Sequence, residues 1–187
     1  KEEAAGKEQE VLNKLYKLET INTGRYNTYF YEDKQIKKFE LNDIELYMKV
    51  VDIYDGDTIT GIIFLYNNFF IIKLRLSDLD TPEMKPKNNN VELDIKEKAL
   101  AIICKTLLEE YINNNNNIIY IKTLGCDKYG RTLGKIYKNK EKSICFNDIL
   151  IKSGLCDRYS GGTKEKQFDK MYYNYKQSLE LIKHYEN

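Results

Sequence analysis

The segment 73–83, which reads KLRLSDLDTPE, constrains the fold of this chain more than any other stretch. Ile72, Leu74 and Leu76 alternate with polar residues, a pattern that predicts a β-strand with one buried face. Pro82 has no amide proton to offer a sheet, so a central strand has to end before it. The segment therefore predicts a buried strand that runs directly into a turn.

The predicted turn carries three carboxylates, at Asp78, Asp80 and Glu83, close to the guanidinium of Arg75. Carboxylates this close together repel one another unless a cation or a guanidinium lies among them. The turn therefore predicts a metal ion, a cationic partner, or both.

Alternating apolar residues, separated by turn residues, predict five short strands along the chain. These strands cover residues 46–54, 59–65, 69–76, 118–123 and 131–137. Asn67 and Asn68 tolerate the positive φ of a tight turn, so the second and third strands should form a hairpin. A brief additional strand is predicted at residues 143–146.

Three helices are predicted around these strands. The first covers residues 95–111, between the third and fourth strands, and the last covers residues 163–186. The middle one is short, with Asn147 as its N-cap and Gly154 at its end. This order is typical of an α+β fold built on a five-stranded Greek-key β-barrel of the OB type. We expect the barrel domain to cover residues 46–187.

Residues 1–45 are predicted to form an N-terminal extension. Its first part, residues 1–20, has the pattern of an amphipathic helix, and an irregular segment follows with one strand near residues 26–31. The helix fits either a surface helix packed on the domain or a linker helix from a larger protein. The sequence leaves both interpretations open.

The charge balance restricts how the chain could meet a polyanion. The sequence has 30 Lys and Arg residues against 29 Asp and Glu residues, for a net charge of +1. A nearly neutral chain has no overall attraction to nucleic acid or to acidic membranes, so any polyanion site must be a local patch. No apolar run is long enough to span a bilayer, and no membrane partner is expected.

The four cysteines have a spacing that fits neither a zinc site nor a dense disulfide framework. They are Cys104, Cys126, Cys145 and Cys156. We interpret them as free thiols, mostly buried, which favours an intracellular compartment. The sequence begins with Lys1 and not with Met, so a targeting segment could have been removed and the location stays unassigned.

The tetrapeptide 55–58, which reads DGDT, lies between two predicted strands, one hairpin before the acidic turn. Antiparallel pairing would bring Asp57 and Asp80 to the same cavity. Two carboxylates, with carbonyl oxygens and waters, suit a hard cation such as Ca²⁺ or Mg²⁺. No His stands nearby in the sequence, which argues against zinc.

Two arginines and one glutamate complete a set that could act on a phosphodiester. Arg75 and Arg131 each offer a planar guanidinium, which binds phosphate oxygens bidentately. Together with a dication they could stabilise the extra charge of a five-coordinate transition state. Glu83 could orient or deprotonate an attacking water. On spacing alone, a structural role is equally open, with both arginines paired to Asp78 or Glu83.

Three motifs together resemble the staphylococcal nuclease family over residues 46–182. They are Asp55-Gly56-Asp57-Thr58, then Arg75 with Asp80-Thr81-Pro82-Glu83, then Asp127-Lys128-Tyr129-Gly130-Arg131. The resemblance implies Ca²⁺-dependent hydrolysis of DNA and RNA that leaves 3′-phosphates. It also implies single-stranded or unpaired substrates, and we expect the chain to act as a monomer.

The resemblance carries roles to individual residues of this chain. It implies that Asp57, Asp80 and the backbone carbonyl of Thr81 bind Ca²⁺. It also implies two phosphate-binding arginines and a carboxylate that handles the attacking water. These three catalytic residues are Arg75, Arg131 and Glu83.

Contacts to the bound nucleotide follow from the same resemblance. Lys128 and Tyr129 are expected to contact its terminal phosphate. In the region after the short helix, where the family has base-stacking tyrosines, Tyr159 is the one candidate, and its neighbour Arg158 could contact phosphate instead. Base preference and the choice between DNA and RNA are therefore open.

One alternative function belongs to another class. Domains of this fold also serve as non-catalytic nucleic-acid or protein binding modules in Tudor-type multi-domain proteins, where the acidic and arginine positions are usually replaced. Their presence here favours the enzyme. The chain could also be one domain of such a larger protein, with residues 1–45 as part of a linker.

Overall fold

The computed structural model describes residues 2–22, 27–32, 34–35, 40–158 and 167–185. The chain divides into two compact units, residues 1–39 and residues 40–187.

The first unit contains one helix and a small antiparallel sheet. The helix α1 (Glu2–Leu15) lies within the stretch predicted to be an amphipathic helix. The sheet has the order β1-β2-β3, with β1 (Glu19–Asn22), β2 (Asn27–Tyr31) and β3 (Lys34–Gln35). The strand expected near residues 26–31 is present as β2, whereas β1 and β3 were not predicted.

The second unit is organised around a closed five-stranded barrel, as predicted. Its strands are β4 (Asn42–Ile53), β5 (Thr58–Leu65), β6 (Asn68–Leu76), β8 (Ile118–Cys126) and β9 (Thr132–Tyr137). Their order around the barrel is β4-β5-β6-β9-β8, and only the β6–β9 contact is parallel. The first strand begins at Asn42, four residues before its predicted start at Leu46.

Alternation along these strands builds the core, because every second side chain points into the barrel. The largest fully enclosed side chains are apolar. They include Met48, Ile59, Ile63, Leu74, Leu76, Ile119, Ile121 and Ile136. A short two-stranded ladder lies outside the barrel, where β7 (Leu79–Asp80) pairs with β10 (Asp157–Arg158).

Within its described residues, the second unit has three helices. They are α2 (Val91–Asn113), α3 (Phe146–Ser153) and α4 (Phe168–Tyr185). The N-cap of α2 is Asn90, whose side chain accepts hydrogen bonds from the amides of Glu92 and Leu93. The second ends at Gly154, which adopts a left-handed φ of 71°, as predicted. The α+β barrel with three helices is therefore confirmed.

The hairpin turn between β5 and β6 is shifted by one residue from its predicted position. The turn residues are Tyr66 and Asn67, with φ values of 50° and 58°. Asn68 instead pairs with Leu65 as the first residue of β6. The pairing of the flanking apolar residues fixes the register, so the turn falls where the ladder places it.

The predicted N-cap role of Asn147 and the predicted strand at residues 143–146 are both wrong. The helix α3 begins at Phe146, and its N-cap is Cys145, two residues before the predicted cap. Before it, the chain forms only an isolated bridge between Cys145 and Tyr137. The buried Asn147 side chain accepts from the Ile136 amide and donates to the Ser77 carbonyl, so it connects the helix to the barrel.

The four cysteines are free, as expected, with Cys104 and Cys156 buried and Cys126 and Cys145 half-buried. Within the described ranges, no helix is both long enough and apolar enough to cross a membrane.

Candidate active site

The barrel brings the ends of three chain segments to one rim. Thr58, the first residue of β5, pairs with Arg75 in β6. The strand β6 also runs parallel to β9, and there Leu74 pairs with Thr132. Arg131 directly precedes Thr132, so strand register alone places both arginines beside the DGDT loop.

The DGDT loop is close-packed against the helix α2. A Cβ atom at Gly56 would lie 2.5 Å from the Cβ atom of Cys104 on that helix. Glycine therefore allows the backbone of the loop to approach the helix, and this approach sets where Asp57 sits.

Asp57 and Asp80 both bind the guanidinium of Arg75. Nη1 of Arg75 donates to Oδ1 of Asp57 at 2.8 Å, and Nη2 donates to Oδ1 of Asp80 at 3.2 Å. The guanidinium thus lies between two carboxylates that come from different loops. Of the acidic turn, Asp80 is thus compensated by the guanidinium of Arg75, whereas Asp78 lies 3.4 Å from Nζ of Lys135.

Asp57 is only 2% exposed, and it is held by further hydrogen bonds. The Thr58 hydroxyl donates to its Oδ1 at 2.8 Å, and the Thr81 hydroxyl donates to its Oδ2 at 3.1 Å. Burial raises the pKa of the Asp57 carboxyl to about 6, although the Arg75 charge and these hydrogen bonds act in the opposite direction. Asp57 therefore depends on a neighbouring positive charge to stay ionised.

The pKa of the Arg75 guanidinium is also shifted by this pairing. Burial alone would lower the pKa of Arg75, but the charges of Asp57 and Asp80 outweigh it and raise the pKa. The guanidinium is therefore held in its charged form.

The loop 127–131 is a compact turn built around Asp127. The Asp127 carboxylate accepts the backbone amides of Tyr129 and Arg131, both at 2.9 Å. It also accepts Nε of Arg131 at 2.7 Å. Gly130 adopts a φ of 81°, which the turn needs and which a Cβ atom disfavours. Asp127 thus sets both the loop backbone and the direction of the Arg131 side chain.

Tyr129 stands at the outside of this turn, with 72% of its surface exposed. Two cations lie over its ring, Nζ of Lys128 at 5.0 Å and Cζ of Arg131 at 5.6 Å from the ring centroid. This cluster presents positive charge beside an exposed aromatic face, a combination that suits a phosphate next to a base.

Glu83 lies in the loop that follows Pro82, and its side chain is exposed. Its backbone amide donates at 3.0 Å to Oε1 of Glu97, a residue of α2. The position of Glu83 therefore depends on a contact with the helix and not only on the acidic turn.

Eight of the nine predicted site residues line one cleft of about 630 Å³. They are Asp57, Arg75, Asp80, Thr81, Glu83, Lys128, Tyr129 and Arg131. Tyr159, the ninth, lies outside the described residues. The cleft is thus lined by guanidinium, ammonium and carboxylate groups around a space that admits a phosphate.

The oxygen atoms available in the cleft are suitable ligands for a hard cation. Asp57, Asp80 and the Thr81 carbonyl offer oxygen atoms, the ligand type that Ca²⁺ prefers. Across the described part of the chain, no three His, Cys, Asp or Glu side chains converge as a ready metal site. A cation would therefore need the carbonyl and water molecules beside the two carboxylates.

Comparison with known families identifies the relationship. The sequence model described as staphylococcal nuclease homologue matches residues 73–180, which is more than half of the chain. The chain belongs to the staphylococcal nuclease homologue family. The matched region includes Arg75, Asp80, Glu83 and Arg131, whereas the DGDT loop lies upstream of it.

One relative of this staphylococcal nuclease homologue is the uncharacterized protein MJ1439 of Methanocaldococcus jannaschii. The two are 32% identical over an alignment of 126 residues, covering 60% of this chain and 59% of MJ1439. The chain thus spans about three fifths of that relative's length. Membership of a family of nucleases and nucleic-acid-binding domains agrees with a cleft at the barrel rim in which Arg75, Lys128 and Arg131 lie among carboxylates.

Sequence reasoning assigned no role to several residues that shape the site of this family member. Asp127 and Glu97 are the main examples. An Asp followed three residues later by Gly is a turn signal, and it could have identified Asp127. No sequence signal distinguished Glu97 from the other glutamates of its helix.

Proposed function

We propose that this chain is a Ca²⁺-dependent phosphodiesterase that hydrolyses DNA and RNA and leaves 3′-phosphate ends. The observation that supports this proposal most strongly is that two arginines, two buried or half-buried aspartates and one exposed glutamate share a single cleft. Hydrolysis of a phosphodiester needs such groups, because the negative charge of the phosphate must be neutralised on binding and increases in the transition state.

Asp57 and Asp80, with the carbonyl of Thr81, are the residues that would hold Ca²⁺. When bound, Ca²⁺ supplies positive charge that polarises the phosphoryl group toward attack. The burial of Asp57 favours such an arrangement, because a carboxylate removed from water is stabilised by a nearby cation.

The two arginines supply the remaining positive charge. The bond from Arg131 to Asp127 uses Nε, so it does not occupy the two Nη groups of that guanidinium. Those groups can bind two phosphate oxygens in a fork, and they can follow the charge as it builds in the transition state. Arg75 reaches the same phosphate from the neighbouring strand β6 while it remains paired with Asp57.

Glu83 accepts a proton from the attacking water, or orients that water by a hydrogen bond. Its exposed side chain lines the cleft, where solvent water can reach it. Lys128 and Tyr129 bind the terminal phosphate of the nucleotide, and the exposed tyrosine ring contacts the neighbouring sugar or base. An exposed base-contacting ring favours unpaired strands over a duplex.

A second candidate is a binding module without catalysis, and one observation favours it. Both Nη groups of Arg75 already bind carboxylates, at 2.8 and 3.2 Å, so this arginine could have a structural role. That account gives no role to the exposed Glu83 carboxylate or to the Nη groups of Arg131, which the bond to Asp127 does not use, and for this reason we favour the enzyme.

Analysis of product ends tests the proposal. The full chain is incubated with 5′-labelled single-stranded DNA and Ca²⁺, and the products are treated with a phosphatase that removes 3′-phosphates. We expect shortened strands that a polymerase extends only after this treatment. Strands that are bound but stay intact would favour the binding module, and directly extendable 3′-hydroxyl ends would contradict the proposed cleavage chemistry.

A further inference from the structure

The loop that carries Glu83 is hydrogen-bonded to the first turns of α2. The backbone amide and the side-chain amide of Asn88 both donate to Oδ1 of Asp94, each at 2.9 Å. Asn90 then caps the helix by accepting the amides of Glu92 and Leu93. These contacts hold the end of the loop that is far from the cleft.

Glu97 connects this far end to Glu83. Its Oε1 accepts the backbone amide of Glu83 at 3.0 Å, and its Oε2 accepts Nδ2 of Asn88 at 2.7 Å. One carboxylate thus binds both ends of the loop at the same time. The geometry of the loop is set by a residue 14 positions after Glu83 in the chain.

The burial of Glu97 indicates that these contacts matter. Its side chain is only 3% exposed, on a helix face where Leu100, Ala101 and Cys104 are also buried. An acidic side chain at such a position is unfavourable unless hydrogen bonds compensate for the lost water. The two carboxylate oxygens of Glu97 accept one hydrogen bond each from the loop, from the Glu83 amide and from the Asn88 side chain.

We propose that Glu97 is a positioning residue for the reaction. It fixes the peptide amide of Glu83 and thereby holds the Glu83 carboxylate at the rim of the cleft. Glu97 does not line that cleft, so it acts through Glu83 and not by contact with the substrate. This inference rests on the nuclease function proposed above.

Kinetics of a double-mutant cycle test the inference. We expect Glu97→Ala to lower kcat on single-stranded DNA by about 10- to 100-fold, as for other residues that orient a catalytic group. The KM for DNA and the Ca²⁺ dependence should change by less than about twofold, because binding groups are untouched. In a Glu83→Gln background, the same substitution should cause no further loss, since positioning acts only through the Glu83 carboxylate.

A second measurement does not depend on activity. Hydrogen exchange at the Glu83 amide, followed by NMR, should be at least about tenfold faster in Glu97→Ala, because that amide loses its acceptor. Exchange in β5 and β8 should be unchanged. Glu110→Ala, on the exposed side of the same helix, is the matched control and should alter neither exchange nor kcat.

A gentler variant covers the case in which Glu97→Ala does not fold. Glu97→Gln keeps one oxygen for the Glu83 amide but presents an amide donor toward Asn88, so we expect a smaller change in the same direction. Unchanged exchange at the Glu83 amide, or a kcat loss of equal size in the Glu83→Gln background, would overturn the inference. A chain without nuclease activity would contradict the proposed function, while the exchange rates would still decide whether Glu97 holds this peptide.

Discussion

Nη1 of Arg75 donates a hydrogen bond to Oδ1 of Asp57 at 2.8 Å, and this acceptor belongs to a carboxylate that is 2% exposed. The pair joins the loop before β5 to the end of β6. Removal of one partner from a buried ion pair leaves the other charge without compensation, which costs more than the pair itself contributes.

We therefore expect Arg75→Ala to lower the free energy of unfolding by about 3 kcal/mol, the lower end of the range for buried pairs. We expect a loss at this lower end because the guanidinium of Arg75 is partly exposed to solvent. The double variant Arg75→Ala/Asp57→Asn should recover at least about 1 kcal/mol, because no buried charge remains. Urea denaturation in the presence of a chelator measures both. Equal losses in the single and double variants would show that Asp57 does not depend on Arg75.

Arg131 is the second guanidinium of the cleft, and we predict a large effect on turnover. Arg131→Ala should lower kcat on single-stranded DNA by about 10³-fold or more, the scale at which an arginine stabilises phosphoryl transfer. Its fold should be nearly unchanged, because Asp127 would still accept the backbone amides of positions 129 and 131 that shape the turn. Lys138→Ala, which removes the same charge at the far end of β9, is the control. Similar kcat values for the two variants would show that Arg131 has no catalytic role.

Much of this site could be predicted because its parts lie at strand ends. The alternation of residues 72–76 and the break at Pro82 located the acidic turn correctly. Antiparallel pairing predicted that Asp57 and Asp80 face one cavity, and both side chains line the same cleft. These features follow from the alternation of apolar and polar residues and from turn residues close together in the chain, which can be seen directly in the sequence.

The remaining parts depend on contacts between distant segments. Asn147 binds the carbonyl of Ser77, 70 positions away, and nothing near Asn147 in the sequence indicates this bond. Glu97 occupies a buried helix position and accepts a hydrogen bond from the loop of Glu83. A polar residue in a helix predicts exposure, and long-range packing reversed that expectation at both positions.

Gly130 supports the turn that carries Arg131, and its backbone conformation predicts a cost for substitution. With φ at 81°, Gly130→Ala should lower the free energy of unfolding by about 1–2 kcal/mol, although no atom would clash with the new Cβ. Gly130→Asn should lose less, since Asn adopts left-handed conformations more readily. Thermal unfolding compares the three proteins. An unchanged Tm in the alanine variant would mean that the turn adapts without strain.

Asp127 predicts a dependence of stability on pH. Partial burial alone would raise the pKa of Asp127, but hydrogen bonds from Arg131 and Tyr129 outweigh it and lower the pKa. A carboxyl whose pKa is lower in the folded state stabilises the fold above its unfolded pKa of about 4, and this contribution is lost as the pH falls further.

We therefore expect the free energy of unfolding to fall more steeply between about pH 5 and pH 3 in the wild type than in Asp127→Asn, whose side chain does not titrate. Urea denaturation at a series of pH values measures the two slopes. Parallel curves for the two proteins would contradict the assigned role of the Asp127 carboxylate.

The central claim is that the cleft performs Ca²⁺-dependent hydrolysis with Glu83 acting on water. The most direct measurement is the initial rate of single-stranded DNA hydrolysis, with Ca²⁺ and with a Ca²⁺ chelator, for the wild type and for Glu83→Gln. The account predicts a wild-type rate that the chelator abolishes, and a rate in Glu83→Gln that is lower by about 10²-fold or more. Hydrolysis that survives the chelator, or that proceeds at an undiminished rate in Glu83→Gln, would contradict it.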